Sequence, residues 1–300
     1  MKSTPIVCTP LTATQRTAVL TAVIAPFLGA LCLIYFHDLT RLNAILFLSG
    51  YLFTGFGITV GLHRYFTHGG FKTSPFVEEI LGIAGMMGFM GTIKEWVANH
   101  LIHHDHSDTP EDLHSPYFFR TQKFGALSGL VHSHIGWMLK TRVAGKEDHL
   151  PPRILDNTRI DTMDRLLPLW LVLSLAIPPA IGGLVTHSWH GALTAFLWGS
   201  AARIFFVHHV TWSINSICHI YGSQPFKTDD LSRNNPIFGI LAFGEGWHNA
   251  HHAFLRSPKH GLLRWQIDPS WILIKTAERL GIVWDLALPT DQQVQRALAR

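Results

Sequence analysis

Cysteine is scarce in this chain of 300 residues, which contains only Cys8, Cys32 and Cys218. Their number is odd, they lie far apart and none belongs to a C-x-x-C pair, so neither a disulfide framework nor a cysteine-rich zinc site is supported. Charged residues are also few, at 15% of the composition. Any metal chemistry in this protein must therefore use nitrogen and oxygen ligands.

A glycine-rich phosphate-binding fingerprint is also missing. The stretch "GFGITVG" at residues 55–61 has glycines at the wrong spacing for one. It lies inside an apolar run, which indicates helix packing through small residues. Internal repeats and low-complexity tracts are absent from the sequence too. Nucleotide-binding and repeat architectures are therefore not predicted.

Apolar residues, by contrast, make up 47% of the chain, and the mean hydropathy is +0.20. That composition is typical of a membrane protein. Four runs are long enough to cross a hydrocarbon core of about 30 Å. These runs are residues 17–36, 42–62, 166–186 and 191–212.

The four runs form two predicted hairpins, because only short turns connect the first to the second and the third to the fourth. The two long polar segments, 63–165 and 213–300, then lie on one side of the membrane. Of the 24 Lys and Arg residues, all except Arg41 and Arg203 fall on that side. The positive-inside rule therefore places both termini and both segments in the cytoplasm, with the protein in an inner or plasma membrane.

We therefore expect an all-α integral membrane protein with four transmembrane helices in two hairpins and a helical cytoplasmic cap. The whole chain, 1–300, is predicted to be one domain. Two further apolar stretches, 76–91 and 271–284, are expected to lie along the membrane surface as helices.

Histidine is the second unusual feature, with 20 residues in the chain. The spacing H-x-x-H-H occurs twice, at His100, His103 and His104 and again at His248, His251 and His252. On an α-helix, positions i, i+3 and i+4 share one face, so each box can supply several metal ligands.

Two other histidine groups are predicted to lie at the same membrane face. His63 and His68 are five residues apart, so both reach one centre only if the helix ends or bends there. His219 follows the fourth apolar run, and Asn215 precedes it by one turn. The predicted topology thus brings nine histidines together at the cytoplasmic face. The helical cytoplasmic cap is therefore expected to carry a histidine-ligated di-metal site.

The remaining histidines are given other interpretations. His106, His114, His132, His134 and His260 are candidates for orienting the ligands. His208 and His209 lie within the fourth run, where function and helix packing are equal alternatives. Isolated histidines are more simply explained by hydrogen bonds to backbone carbonyls: His37, His149, His187 and His190.

Nine imidazoles suggest two ions, although imidazole suits zinc, copper, iron and nickel alike. A structural zinc would need four ligands, and a hydrolytic zinc three plus a water. Two redox metals at a lipid interface favour oxygen activation directed at an apolar chain.

The motifs "HRYFTH", "HLIHH" and "HNAHH" occur in this order within "GITVGLHR", "KEWVANH", "TWSINSICHIYG" and "GEGWHNAHH". In these motifs the sequence resembles the membrane-bound fatty acid desaturases, specifically the Δ9 acyl-CoA desaturase type without a fused cytochrome b5. The resemblance covers residues from about 50 to 285 and implies a single membrane desaturase domain. It also implies a reaction that uses O₂ and two electrons to form a cis double bond in a saturated acyl chain.

The resemblance assigns roles to particular residues. It implies two iron ions held by nine catalytic histidines, with Asn215 contributing through a water. Trp96 and Thr211 match residues that shape the bend of the acyl tunnel, and Tyr51 matches the residue at its far end, one turn from Gly55. The nine implied iron ligands are His63, His68, His100, His103, His104, His219, His248, His251 and His252.

The resemblance also implies partners. The electron donor is external, such as a ferredoxin with its reductase, docking on the basic cytoplasmic face. The acyl group is carried by CoA, by acyl carrier protein or by a membrane lipid. Ala98 and Asn99 stand where eukaryotic acyl-CoA members have Arg-Asp, so a charge contact to CoA would be lost there. Nucleic acid is not an expected partner.

Two alternatives to a desaturase remain at this point. A di-iron hydroxylase of lipids or alkanes would share the ligands and release an alcohol. A histidine-lined metal transporter would place its ligands at the middle of the membrane, whereas the nine histidines here lie at or beyond predicted helix ends.

Overall fold

The computed structural model describes residues 6–36 and 38–298, so His37 lies outside the described residues. The chain is mostly helical. Its helices are α1 (Ala13–Cys32), α2 (Arg41–Phe56), α3 (Pro75–Met86), α4 (Ile93–His106), α5 (Ala126–His134), α6 (Pro152–Leu155), α7 (Thr158–Arg165), α8 (Leu167–Thr186), α9 (Trp189–Phe196), α10 (Arg203–Ile220), α11 (Pro236–Leu241), α12 (His248–Ala253), α13 (Pro269–Arg279) and α14 (Asp291–Ala297). Two π-helices, Gly57–Thr67 and Leu197–Ala202, continue α2 and α9, and 3₁₀ turns occupy Gly136–Leu139 and Lys146–His149.

Within residues 6–36 and 38–298, six short strands accompany the helices, and the fold is mostly helical, in keeping with the predicted all-α class. The strands are β1 (Val7–Pro10), β2 (Lys72–Thr73), β3 (Phe118–Phe119), β4 (Gln122–Lys123), β5 (Thr141–Ala144) and β6 (Val283–Trp284). They pair as antiparallel ladders β1 with β5, β2 with β6, and β3 with β4. The first two ladders join segments that are far apart in sequence, whereas β3 and β4 form a hairpin.

Three helices are long and apolar enough to cross a membrane: Ala13–Cys32, Arg41–Thr67 and Leu167–Thr186. They correspond to the first three predicted runs, with ends shifted by up to five residues. The fourth predicted run, 191–212, lies within consecutive helical segments from Trp189 to Ile220, where a π-helix separates α9 from α10. The fourth span and the membrane orientation stay predictions.

The apolar helices pack closely through small residues. α8 and α9 form a hairpin in which a Cβ on Gly182 would stand 2.3 Å from Ala195 Cβ. α1 packs against the Leu197–Ala202 segment, and a Cβ on Gly29 would stand 2.5 Å from Ala201 Cβ. Since these distances leave no room for a methyl group, glycine sets how closely the helices approach.

Glycines also allow close packing at the first π-helix, Gly57–Thr67. A Cβ on Gly57 would stand 2.3 Å from the backbone of Ala84, and one on Gly61 would stand 2.7 Å from the carbonyl of Leu81. Both contacts are with α3, which therefore lies directly against the widened turns. This packing fixes the end of the second apolar helix, where the first histidine pair begins.

The two stretches predicted to be surface helices are shorter in the structure. The helix in 76–91 ends at Met86 and a turn follows, with Phe89 at a φ of 62°. The helix in 271–284 ends at Arg279, and β6 follows it. His219 was predicted to lie past the fourth run, but α10 extends to Ile220, so His219 lies in its last turn.

Candidate metal centre and acyl cavity

The nine predicted ligands form two clusters in the structure. The first cluster contains five histidines and the second contains four. Within each, one ring nitrogen per residue lies within 4.8 Å of all the others. The five-histidine cluster is His63, His68, His100, His104 and His251, and the four-histidine cluster is His103, His219, His248 and His252.

The two clusters are adjacent. The rings of His104, from the five-histidine cluster, and His252, from the four-histidine cluster, have centroids 4.6 Å apart. Within the first, His251 Nε2 is 3.0 Å from His63 Nε2 and 3.1 Å from His104 Nε2. Within the second, His248 Nε2 lies 3.0 Å from His219 Nε2. The Nε2 atoms thus point inward in both clusters.

Each H-x-x-H-H box is divided between the clusters. In α4, His100 and His104 join the five-histidine cluster, and His103 joins the other. In α12 the arrangement is reversed, because His248 and His252 join the four-histidine cluster and His251 joins the five-histidine cluster. Residues i and i+4 therefore share one centre while i+3 turns to its neighbour, so each box links both centres.

The π-helix explains how His63 and His68 reach one cluster. The backbone N–H of His68 donates to the carbonyl of His63, 3.1 Å away, which is the i to i+5 bond of a π-helix. Wider turns bring residues five apart onto one face, whereas α-helical turns would separate them. The helix was predicted to bend or end between His63 and His68. In the structure, this segment is instead π-helical.

Carboxylates hold the outer nitrogens of four of these histidines. His103 Nδ1 donates to Asp112 Oδ2 at 3.0 Å, His219 Nδ1 to Asp108 Oδ2 at 2.8 Å, and His252 Nδ1 to Asp230 Oδ2 at 2.7 Å. His63 Nδ1 donates to Glu245 Oε2 at 2.5 Å. A proton held on Nδ1 leaves the Nε2 lone pair free for a metal and fixes the orientation of the ring.

Sequence reasoning did not identify these four carboxylates. The available signal was proximity, because Asp108 and Asp112 follow the second box within "HDHSDTPED" and Glu245 directly precedes the third box. Asp230 has no comparable signal, since it reaches His252 only through folding of the loop between α10 and α11.

A buried ion network supports Glu245. The side chain of Arg64, 1% exposed, donates from Nε to Glu245 Oε1 at 3.1 Å. Its NH1 group donates to the carbonyl of Pro258 at 2.7 Å and lies 3.0 Å from Asp268 Oδ1. His260 Nδ1 lies 3.3 Å from Glu245 Oε2, so His260 adjoins the network, as predicted for a residue that orients ligands.

Burial keeps several imidazoles of the site neutral, whereas at His219 burial is outweighed by the Asp108 carboxylate, which raises the pKa of that histidine. Burial, followed by repulsion between neighbouring imidazolium charges, holds the pKa values of His104, His248 and His251 well below their usual range. Burial alone would raise the pKa of Asp112, but interactions with His103 and His114 outweigh it and lower that pKa. Neutral imidazoles beside ionised carboxylates are the protonation states that a divalent metal requires.

The other predicted orienting histidines have different surroundings. The rings of His114 and His103 have centroids 4.3 Å apart. His134 contacts Ser216 and His209, away from both clusters, and His132 lies between two phenylalanine rings. His208 Nε2 donates to the carbonyl of Gly88 at 3.1 Å, which favours packing over catalysis for that residue.

A cavity of about 410 Å³ adjoins the clusters. Its walls include His63, His100 and His248, and also Asn215 and the predicted bend residues Trp96 and Thr211. All of these predicted residues therefore line one space.

The wall of the cavity contains both polar and apolar side chains. Lys146 Nζ donates there to Glu95 Oε1 at 2.6 Å, and Arg142 lies beside the pair. Tyr51 and Gly55 also line the cavity. A largely apolar wall with a few polar groups fits a ligand that has an alkyl chain and a polar head.

Close packing surrounds Tyr51 and Gly55 on the cavity wall. The Tyr51 hydroxyl donates to the carbonyl of Leu241 at 2.8 Å. A Cβ on Gly55 would stand 2.1 Å from the ring of Phe243, so that ring occupies the space beside Gly55.

Ala98 and Asn99, which replace the Arg-Asp pair of eukaryotic acyl-CoA members, have different surroundings. Asn99 lines the cavity, but Ala98 is 0% exposed and belongs to the hydrophobic core. A side chain at position 98 could not reach a carrier head group without displacing core residues. The expected loss of a charge contact to CoA at these two positions stays a prediction.

The residues present fit two transition-metal ions. Histidine nitrogens converge in two adjacent groups, and carboxylates orient four of the rings. Within the part of the chain that the structure describes, the buried Nε2 atoms of His68 and His103 have no hydrogen-bond partner. Buried polar atoms without a partner are costly, and metal coordination would satisfy them.

Comparison with known proteins agrees with this geometry. The fatty acid desaturase family model matches residues 40–267. A hex-5-enoyl-[acyl-carrier protein] acetylenase of Moorena producens (strain JHB) is 40% identical over 89% of this chain and 83% of its own length. An icosanoyl-CoA 5-desaturase of Limnanthes douglasii is 37% identical over 85% of this chain and 66% of its own length. An sn-1 stearoyl-lipid 9-desaturase of Anabaena variabilis is 34% identical over 80% of this chain and 81% of its own length. With the paired histidine clusters beside one cavity, these matches show that the chain belongs to the fatty acid desaturase family of oxidoreductases.

Proposed function

We propose that this protein is an O₂-dependent fatty acyl desaturase that introduces a cis double bond, at Δ9, into a saturated acyl chain with two iron ions. The observation that carries the proposal is the position of two adjacent histidine clusters on the wall of one cavity. When bound, the two irons would supply the oxidising power that activates O₂ and removes hydrogen from unactivated C–H bonds.

The protein's own residues would position the acyl chain against that oxidant. The nine histidines serve as ligands, and Asn215 contributes through a water. Trp96 and Thr211 bend the chain beside the clusters, and Tyr51 with Gly55 limits its length. Apolar walls exclude water from the reacting carbons, and such a cavity suits an alkyl chain.

The acyl carrier is proposed to be CoA. The names of the relatives include acyl carrier protein, CoA and lipid carriers, so each is a class to test. The Glu95–Lys146 pair on the cavity wall is where the carrier head would lie. Electrons come from an external donor such as a ferredoxin with its reductase.

The proposed topology has four transmembrane helices in two hairpins, with the segment from Trp189 to Ile220 as the fourth span. Both termini and the histidine clusters face the cytoplasm, in keeping with the distribution of Lys and Arg. The chain acts as one domain in the inner or plasma membrane.

The test is expression in a host without desaturases, followed by analysis of products and metal content. We expect cis-Δ9 monounsaturated chains and two irons per protein. Alcohols would instead indicate a hydroxylase, triple bonds an acetylenase, and bound metal without any lipid product a transporter.

His251→Ala is the matching variant, because it removes one ligand from the five-histidine cluster without touching an apolar helix. We expect no desaturated product and reduced iron content, with membrane insertion unchanged. His190→Ala, which alters an exposed histidine paired with Asp38, should keep full activity. Wild-type activity of His251→Ala would contradict the assignment of that ligand.

A further inference from the structure

A small basic surface lies on the hairpin formed by β3 and β4. Arg120 and Lys123 are exposed there, and Lys140 stands beside them. Lys140 Nζ lies 5.1 Å from the ring centroid of Phe119 and 4.9 Å from that of Phe124. Within the described ranges, 6–36 and 38–298, none of the three cations has a carboxylate partner. Glu111 lines a small pocket together with Arg120, so three cations and one nearby acid leave this basic hairpin surface with a net positive charge.

The backbone holds Arg120 at the tip. Its φ of 54° is a left-handed conformation that side chains other than glycine adopt rarely. Its N–H donates to the carbonyl of Pro110 at 2.6 Å, which anchors the turn to the segment after the second histidine box. The cation is thus presented from a fixed position.

A buried histidine lies beside this surface. His132 is 3% exposed, and its ring centroid lies 5.1 Å from that of Phe119 and 4.6 Å from that of Phe124. The polar group next to its ring is the backbone of Leu113, and burial lowers the pKa of His132 to about 4. A neutral imidazole therefore packs against the two aromatic rings of the hairpin.

Aromatic rings lead from the turn beside His132 to the four-histidine cluster. His132 Nδ1 lies 3.8 Å from where a Cβ on Gly136 would stand, so His132 adjoins the turn that carries Trp137. The rings of Trp137 and His114 have centroids 5.2 Å apart, and those of His114 and His103 lie 4.3 Å apart. His103 belongs to the four-histidine cluster. Packed rings therefore run from Trp137 to a proposed metal ligand, and His132 lies between the basic hairpin surface and the turn that holds Trp137.

An acidic protein would be attracted to the basic hairpin surface.

We propose that the basic hairpin surface is the docking site of an acidic one-electron carrier of the ferredoxin class, and that electrons enter through His132 and His114 to His103. This inference rests on the proposed desaturase function. In each turnover two reduced carriers give up one electron each, and the acyl chain loses two hydrogens. One O₂ accepts these four electrons and, with two protons from solvent, becomes two waters.

The first experiment measures binding. The probe is a plant-type [2Fe–2S] ferredoxin, titrated onto the iron-loaded protein in nanodiscs of zwitterionic lipid. The double reversal Arg120→Glu with Lys123→Glu should raise the Kd about tenfold or more at low ionic strength and weaken its salt dependence. The matched reversal Arg279→Glu with Arg296→Glu, on other exposed helical positions, should leave the Kd unchanged.

An unchanged Kd in the hairpin variant, or an equal rise in the control, would overturn the docking site. The inference is likewise wrong if the hairpin reversal alters activity only in nanodiscs containing anionic phosphatidylglycerol while ferredoxin binding is unaffected. The surface would then bind lipid head groups.

The second experiment measures electron transfer. His132→Leu should leave the Kd for ferredoxin unchanged, because the residue is buried, but should lower the limiting rate of ferredoxin oxidation severalfold in stopped-flow absorbance. A wild-type limiting rate would refute the route through His132.

A single turnover with dithionite as the reductant distinguishes a failure of the proposed docking surface from a failure of the proposed desaturase function. We expect desaturated product from the wild type and from the hairpin reversal alike, since dithionite does not need the docking surface. If the wild type forms no product under these conditions, the desaturase function fails, and the electron route fails with it.

Discussion

At the scale of single residues, the carboxylates behind the histidines determine how the ligands are oriented. Asp112 is 0% exposed, holds His103 Nδ1 and also accepts from the backbone N–H groups of Asp108 and His114. One carboxylate thereby orients a ring and closes the turn that follows the second box. A partner of this kind contributes to metal affinity although it does not touch the metal.

Asp112→Asn is expected to weaken iron binding at the four-histidine cluster about 10-fold to 100-fold, because an amide neither fixes the imidazole tautomer nor matches the charge. Iron content after dialysis against a graded chelator series is the measurement. Asp285→Asn changes an exposed carboxylate paired with Lys72 and should retain wild-type iron. Equal retention by both variants would contradict the role of Asp112.

Tyr51→Ala should enlarge the cavity, because the Tyr51 ring forms part of its wall. We expect a shift toward longer products of roughly tenfold per added methylene, since such pockets discriminate by about 1 to 3 kcal/mol. The measurement is the chain-length profile of products from mixed saturated substrates. Tyr35→Ala, at a 78% exposed residue, is the control. An unaltered profile for Tyr51→Ala would show that Tyr51 does not limit the length of the bound chain.

At the scale of elements, the π-helix Gly57–Thr67 is the segment that makes the five-histidine cluster possible. It needs α3 directly against it, and the glycines at its start allow that approach. The Arg64 network then attaches its far end to the loops that follow the third box. Packing on both sides thus stabilises a helix type that is rare on its own.

Gly57→Ala is expected to destabilise the protein by about 1 to 3 kcal/mol, because the added methyl would overlap backbone atoms of α3 and overpacking is costly. The readouts are the thermal midpoint and the iron content, and both should fall. Gly125→Ala is the control, since its Cβ would have only Ser128 Oγ nearby, at 3.8 Å. Wild-type values for Gly57→Ala would mean that α3 can move away without disturbing the ligands.

At the scale of the whole molecule, ligands from α4, α10, α12 and the π-helix meet at one end of the apolar helices. Burying so many imidazoles lowers their pKa values, which links the stability of the metal-free protein to pH. Burial is the main cause in each case: the pKa is about 3 for His114 and about 4 for His252 and His260.

Metal-free protein should therefore lose stability as the pH falls below about 6.5, the ordinary histidine pKa. The sign follows because the unfolded chain takes up protons there while the folded chain does not, so protonation favours unfolding until the folded pKa is reached. Each such histidine contributes about 1.4 kcal/mol per pH unit within that window. Thermal midpoints between pH 7.5 and 5 test this, and His190→Ala should not change the slope. A midpoint that stays constant over this range would contradict burial of neutral imidazoles.

Much of the site could be predicted from the sequence. All nine histidines named as ligands lie in the two clusters, and the two bend residues, Trp96 and Thr211, line the cavity. Their proximity follows from local properties, because a helical box at i, i+3 and i+4 places its side chains next to one another. The roles of these residues as metal ligands and bend residues stay predictions.

The sequence by itself determined which residue types are present, where the apolar runs lie and how the histidine boxes are spaced. Only the tertiary structure decided that each box is shared between two clusters, that a π-helix aligns His63 with His68, and that Asp230 reaches His252. The physical reason is that these features depend on contacts between segments far apart in the chain. Local periodicity restricts which face a side chain occupies, but the packing of distant helices and loops selects the partner that it meets there.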